Sequence, residues 1–290
     1  MHIIKVPAST SNLSVGFDIL GLAFNIYNTF DVELSDKDRL INVEEQYNNS
    51  DNLFLKAYRE GLKKIGADDH VRVYMKYDVP IERGLGSSST LIVGGLMAAS
   101  VLHNNCLSKD EIFELAAKME GHPDNAAPCV YGGFIASLKD GNEYITHNLK
   151  IDESYRFAVF VPDFAVSTQK ARSILPVDYK RQSIVNNSAK AIYLSEALRT
   201  GDMELLKKCY DEDVHEPFRK ELIDEFEEVK KLYIEDTDGV FFISGSGSTC
   251  LGISKKDFSK DFEEKLSHLN NKWEAKKVRI DYDGATAYEI

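Results

Sequence analysis

The sequence predicts an α+β protein, and three observations carry that reading. Segments with strand alternation and segments with helical spacing are interspersed, without the regular β-α succession of a doubly wound sheet. At 290 residues the chain is long enough for two packed lobes. A polar, turn-rich stretch from Asp140 to Ser154 marks a boundary, dividing residues 1–150 from 151–290.

Taken in order, His2 to Val6 alternates as a strand that Pro7 should stop, and a loop from Ser9 to Asp18 follows. Leu22 to Leu34 reads as a second strand region. Asp51 to Ile65 has helical spacing, with Leu53, Phe54, Ala57 and Leu62 on one side and Asp51 as N-cap. Val71 to Tyr77 alternates as a half-buried strand. A helix follows Pro80–Thr90, and Ser108-Lys109-Asp110-Glu111 is a capping box opening another, whose apolar face is Ile112, Leu115, Ala116 and Met119. Gly121–Asn125 breaks that helix. Strand patterns return at Phe134–Leu138 and Phe157–Val161, and Gln182–Leu232 is mostly helical. Gly239–Ile243 and Cys250–Ile253 form a hairpin pattern around a glycine-serine turn. A helix (Asp257–Leu269) and a strand (Ala275–Ile280) close the chain.

A formal net charge of −12 opposes nucleic acid and anionic membranes as main partners. An anionic small ligand is still compatible, provided backbone N–H groups, a metal or a few placed cations receive it. The four cysteines (106, 129, 209 and 250) include no CxxC pair, which argues against a zinc site or a disulfide framework and for a cytoplasmic home. The N-terminus has no signal-peptide core, and the longest apolar run, Leu91 to Leu102, is too short to span a bilayer.

One stretch carries chemistry by itself. Gly84-Leu85-Gly86-Ser87-Ser88-Ser89-Thr90 runs directly into an apolar helix. Glycines let the backbone wrap closely, and a helix N-terminus offers unpaired N–H groups and the positive end of the dipole. Together they make a phosphate site. The pattern is neither GxxxxGK[ST] nor GxGxxG, so the common nucleotide loops are excluded.

Three further stretches identify a resemblance. Pro7-Ala8-Ser9-Thr10-Ser11-Asn12-Leu13-Ser14-Val15-Gly16-Phe17-Asp18 resembles the N-terminal motif of homoserine kinases, and Glu120-Gly121-His122-Pro123-Asp124-Asn125-Ala126-Ala127-Pro128 resembles their signature. Pro80–Ser89 and Ser244-Gly245-Ser246-Gly247-Ser248-Thr249 resemble the second and third glycine motifs of the galactokinase, homoserine, mevalonate and phosphomevalonate (GHMP) kinases. Order and spacing fit along nearly the whole chain, and His215-Glu216-Pro217-Phe218-Arg219 adds to the homoserine kinase likeness. Small departures stand at Ser14, Ser89, Thr90, Ser246 and Ser248.

The resemblance implies a two-lobed fold, with a left-handed βαβ unit in the N-terminal ATP-binding lobe and a ferredoxin-like C-terminal lobe. It implies ATP-dependent phosphorylation of the L-homoserine hydroxyl, with Mg²⁺ held by Glu114 and Ser88. Pro80, Arg83, Gly84, Leu85, Gly86, Ser87, Ser88, Ser89 and Thr90 would hold the nucleotide, with Asn52 near the adenine. Asn12, Asp18, His122, Asp124, Arg172, Arg219 and Gly245 would hold the substrate: the arginines its carboxylate, Asp18 its ammonium. Asn125 and Arg172 would be the catalytic residues. Asn125 replaces the aspartate that serves as candidate base in related kinases, and an amide cannot accept a proton in that way. Two rivals stay open at this point: a kinase of another small alcohol such as mevalonate, and a silent metabolite-sensing relative. The sequence leaves the oligomeric state open, a homodimer included.

Overall fold

The computed structural model describes residues 1–290 and contains two sheets. The elements run β1 (His2–Ser11), β2 (Leu20–Ser35), β3 (Arg39–Ile41), α1 (Leu53–Ile65), β4 (His70–Tyr77), α2 (Ser87–Val101), α3 (Lys109–Glu120), α4 (Ala126–Tyr131), β5 (Phe134–Asp140) and β6 (Glu143–Leu149). They continue with β7 (Arg156–Pro162), α5 (Thr168–Ser173), α6 (Arg181–Thr200), α7 (Met203–Cys209), α8 (Glu216–Arg219), α9 (Phe226–Thr237), β8 (Val240–Ile243), β9 (Cys250–Ser254), α10 (Phe262–Leu266), β10 (Trp273–Val278) and β11 (Thr286–Glu289).

The first sheet has the order β11-β1-β2-β4-β3, with β5 also pairing β2 and β6 pairing β5. Only β3 and β4 run parallel, joined by the α1 crossover. Strand β4 shows why one face is covered: Val71, Val73 and Met75 point inward while Arg72, Tyr74 and Lys76 face water. Helices α1, α2 and α3 cover the inward face through Phe54, Tyr58, Leu62, Val93, Leu96 and Phe113. The second sheet, β10-β7-β9-β8, is antiparallel throughout. Its chain order β7–helices–β8–β9–α10–β10 is the ferredoxin-like β-α-β-β-α-β arrangement. Helices α9 and α10 pack one face through Phe226, Tyr233 and Phe262. A third core, with Leu22, Phe24, Phe157, Leu194, Phe242 and Leu251, joins the two sheets.

Three local expectations change. Pro7 does not end β1; the strand runs on to Ser11 because the register shifts at that point, Pro7 facing Tyr27 and Ala8 facing Phe24. A bulge is where a residue without an N–H is tolerated in a sheet. Asn52, not Asp51, caps α1, its side chain accepting from the Phe54 N–H. The last helix is confined to Phe262–Leu266. Within the polar stretch Asp140–Ser154, Glu143–Leu149 form the second strand of a β5–β6 hairpin, and the unanticipated β11 returns to pair with β1. Its four residues are all exposed, so they carry no apolar alternation to read.

Close packing of α1 on α2 rests on small residues. A Cβ on Gly95 would lie 2.2 Å from the Phe54 carbonyl oxygen, and one on Gly61 would lie 2.6 Å from Ala99 Cβ. Helix propensity alone favours alanine over glycine by about 1 kcal/mol. Overpacking against backbone costs about 1–3 kcal/mol. Gly95→Ala is therefore expected to destabilise by up to about 2 kcal/mol. Urea denaturation checks this, and a stabilised variant would show that the helices can move apart freely.

Candidate active site

A cleft of about 680 Å³ is lined by residues from both halves of the chain. From the first half come the turn after β1, the start of α1, the loop before α2 and the end of α3. The second half contributes α5, α8 and the turn between β8 and β9.

The loop before α2 has Gly84 and Gly86 at φ +74° and +66°, conformations that favour glycine. Gly86 sits at the N-cap of α2, and no side chain caps this end. The first N–H groups of a 15-residue, largely buried helix are thus left to a ligand. Backbone contacts hold the loop from behind. The Ser9 N–H donates to the Leu85 carbonyl (3.1 Å), and the Thr249 N–H donates to that of Arg83 (3.0 Å). Ser244 Oγ donates to the Gly84 carbonyl at 2.6 Å. A Cβ on Gly84 would meet the Ser244 carbonyl oxygen at 2.2 Å. The third glycine motif therefore packs against the loop before α2. Arg83 lines the cleft, but its guanidinium donates to the carbonyls of Pro162 and Asp163, clasping the loop to the second sheet.

Several expected ligand residues lie behind this surface. Leu85 is fully buried in the core shared by the sheets. Ser89 and Thr90 turn inward on α2, and Thr90 Oγ1 accepts from Asn28 Nδ2 at 2.7 Å. Pro80 is likewise outside the cleft lining. Asn52 does line it, but its amide is engaged by the Phe54 N–H and the Tyr47 carbonyl. That end of the cleft also carries Tyr47, Leu53, Tyr77, Leu91 and Met119, an apolar group the sequence reading did not single out.

Glu114 is not at the site. It is 52% exposed and pairs with Lys118 one turn along at 3.5 Å. The carboxylate beside Ser88 in the cleft is Glu120, the last residue of α3, which accepts from Ser88 Oγ at 2.7 Å. Six residues at 100° each place Glu114 about 240° around the helix from Glu120. Burial raises the Glu120 carboxyl above its usual range, with the Ser88 hydroxyl opposing that shift.

Past the end of α3, Asp124 Oδ1 accepts from His122 Nδ1 (2.7 Å) and from the Asn125 N–H (3.1 Å). The Asp124 bond raises the His122 pKa. The Asn125 amide is clamped by β1, accepting from Ser9 Oγ and donating to Ser11 Oγ, each at 2.9 Å. A Cβ on Gly86 would meet Ser9 Oγ at 2.1 Å, so the loop before α2 and the Asn125 clamp share one close contact.

Opposite lie the charged groups. Arg172 makes a two-pronged pair with Asp18, at 2.7 and 3.1 Å. Asn12 accepts from the Asp18 N–H (3.0 Å) and donates to the Gly245 carbonyl (2.8 Å). Arg219 is 2% exposed, yet no carboxylate bonds it. Its guanidinium donates to the carbonyls of Ala171 (3.2 Å) and Gly245 (3.0 Å) and lies over the Phe17 ring. Burial lowers its pKa to about 10, which leaves it charged near neutrality.

The structure thus gathers Asn12, Asp18, Arg83, Gly84, Gly86, Ser87, Ser88, His122, Asp124, Asn125, Arg172, Arg219 and Gly245 around one cleft. Its two ends differ: uncapped N–H groups beside a hydroxyl–carboxylate pair, and an arginine-rich corner with one aspartate. That arrangement suits transfer of a phosphoryl group to a small charged acceptor.

Comparison with known proteins agrees. The GHMP kinase N-terminal domain model matches residues 52–133, and the GHMP kinase C-terminal model matches 194–271. A homoserine kinase of Clostridium botulinum (strain Okra / Type B1) is 39% identical over 286 residues, covering 96% of this chain and 95% of its own. One from Clostridium kluyveri is 35% identical, covering 99% and 98%. A solved homoserine kinase from Cytophaga hutchinsonii shares the fold, with a TM-score of 0.87, 23% identity and coverage of 99% of this chain and 96% of that one. The chain belongs to the GHMP kinases, and within them to the homoserine kinase family. It is therefore a kinase, a class that uses ATP, and none of its helices is long and apolar enough to cross a membrane.

The two glutamates are separable by experiment. Glu120→Gln is expected to cut phosphoryl transfer roughly 10- to 100-fold or more, while the melting temperature holds. Glu114→Gln should stay near parental turnover. Steady-state kinetics on both variants checks this, and the reverse ranking would return the role to Glu114.

Proposed function

We propose that the chain phosphorylates the side-chain hydroxyl of L-homoserine with ATP, giving O-phospho-L-homoserine and ADP, the step that supplies threonine synthesis. The observation that carries the substrate is Arg219: a buried guanidinium in the cleft without an acidic partner, beside the Asp18–Arg172 pair. A zwitterion complements such a corner. Its carboxylate would satisfy Arg219 and share Arg172, and its ammonium would face Asp18. The names of the relatives point to the same acceptor.

The nucleotide phosphates would lie on the uncapped N–H groups of α2, within the Gly84–Ser88 loop, with the base toward the apolar end. Ser88 Oγ and the Glu120 carboxylate would hold Mg²⁺. The donor set fits, since both are hard oxygens, they touch each other, and no lysine or arginine bonds the half-buried carboxylate. Bound there, the ion would neutralise charge on the phosphates.

Asn125 would position the acceptor hydroxyl against the γ-phosphorus, held by Ser9 and Ser11. A new O–P bond forms as the β–γ bridging bond breaks, and the hydroxyl proton departs to phosphate oxygen or water. Asp124, through its Oδ1, would hold His122 and the Asn125 N–H in place. Four cysteines without a disulfide fit a reducing cytoplasm.

Arg219→Ala tests the substrate directly. A hydrogen bond to a charged group is worth about 1.5–3 kcal/mol, so the homoserine KM should rise roughly ten- to hundredfold. The ATP KM should stay near its starting value. Equal weakening for both substrates would remove the carboxylate role from Arg219.

A further inference from the structure

The segment His215–Arg219 contributes Arg219 to the cleft, but His215 has no part in the chemistry so far. Its ring is fully buried between two functional elements. Nε2 lies 2.8 Å from the Ser14 carbonyl oxygen, and Nδ1 lies 3.5 Å from Arg219 Nη1. The neighbours settle the protonation state. A carbonyl only accepts, so Nε2 must carry hydrogen. A guanidinium only donates, so Nδ1 must present its lone pair. One neutral tautomer satisfies both.

The charged groups facing the ring are Arg219 at Nδ1 and Glu212, whose Oε1 is 3.7 Å from Nε2. Glu212 is itself engaged by the N–H groups of Val214, His215 and Glu216. Burial, with Arg219 adding to it, lowers the His215 pKa to about 3, in keeping with the geometry.

Ser14 belongs to the turn that carries Asp18. Asn12, Leu13 and Ser14 are consecutively left-handed, at φ +71°, +42° and +61°, and Asp18 is too, at +57°. Non-glycine residues hold such backbone only where surroundings impose it. The bond from His215 to the Ser14 carbonyl is part of that imposition, together with Asn187 Nδ2 donating to the Val15 carbonyl and Ser14 Oγ to that of Tyr210. Phe17, one residue before Asp18, stacks against the His215 ring with centroids 5.1 Å apart, and its other contacts include the guanidinium of Arg219, also 5.1 Å from its centroid. His215 thus touches both the Asp18 turn and the Arg219 head.

We propose that His215 is a positioning residue that sets the spacing between Arg219 and the Asp18 turn, and through that spacing the preference for an amino-acid alcohol over one lacking the carboxylate. This rests on the reading of Arg219 as the carboxylate site.

The experiment measures kcat/KM for L-homoserine and for 3-aminopropan-1-ol, which is homoserine without its carboxylate. His215→Phe keeps a ring on Phe17 but removes both polar contacts. It should lower the ratio of the two values roughly tenfold or more, through the homoserine KM, with the ATP KM unmoved. His215→Gln, which can again donate toward Ser14, should recover part of the ratio. Because His215 acts through Arg219, adding His215→Phe to Arg219→Ala should cost less than about threefold further in that ratio. An unchanged ratio in His215→Phe, or full additivity with Arg219→Ala, overturns the proposal. If His215→Phe does not fold, His215→Asn and His215→Gln are judged by the same ratio and the same cycle. The two readings fail distinguishably: an Arg219→Ala variant with parental homoserine KM removes the carboxylate site itself. A strong Arg219→Ala effect beside an unaffected His215→Phe ratio removes only the role of His215.

Discussion

A positive charge buried without a negative partner is the constraint on which the rest of this cleft depends. Moving an ion out of water costs several kcal/mol even after relaxation. Arg219 recovers part of that through two backbone carbonyls and the Phe17 ring. Two carbonyls and a ring face do not neutralise it. Arg172 stands close enough to depress the Arg219 pKa further, and only Asp18, Asp124 and Glu212 oppose that. Carboxylates are therefore near, yet none bonds Arg219, and what the corner lacks is a directly paired anion at that guanidinium, in a protein whose net charge is −12. Selection of an anion there is a local property, which the global field would never suggest.

The second constraint is steric and holds the loop before α2. Gly84 lies under the Ser244 carbonyl, and Gly86 lies against Ser9, which in turn holds Asn125. Three motifs far apart in sequence therefore meet within single-atom tolerances. That loop cannot shift without moving either the second sheet's β8–β9 turn or the amide that would orient the acceptor. This coupling places donor and acceptor sites in register without a covalent link. It makes effective positioning, more than acid–base chemistry, the dominant contribution the fold can offer.

Much of this was legible in the sequence, for identifiable reasons. The Gly84–Ser88 loop was legible as a close turn into a helix because two glycines stand directly before an apolar run, and both are left-handed in the structure. The capping box at Ser108 and Glu111 formed as its spacing predicts. Glu120 was missed because the resemblance was carried onto Glu114, which faces solvent on α3 while the last residue of that helix reaches Ser88. Here only Gly121 to Asp124 separate the helix end from Asn125, so the helix presents a different residue to the cleft. Ser89 and Thr90 were misplaced for a similar reason: once α2 begins, its period and not the motif decides which side chains turn inward. Strand β11 gave no signal, since all four of its residues face water. His215 was visible within its motif, but its contacts to Ser14 and Arg219 exist only after the lobes pack.

The central claim is that this cleft transfers the γ-phosphoryl group of ATP to an alcohol chosen by its carboxylate and ammonium. ADP release, measured with L-homoserine, mevalonate and 3-aminopropan-1-ol at matched concentrations, tests it most directly. The account predicts turnover with homoserine, and kcat/KM values at least roughly a hundredfold lower for the other two, because each leaves charged groups of the cleft without partners. Comparable turnover of the carboxylate-free alcohol, or a preference for mevalonate, would contradict it.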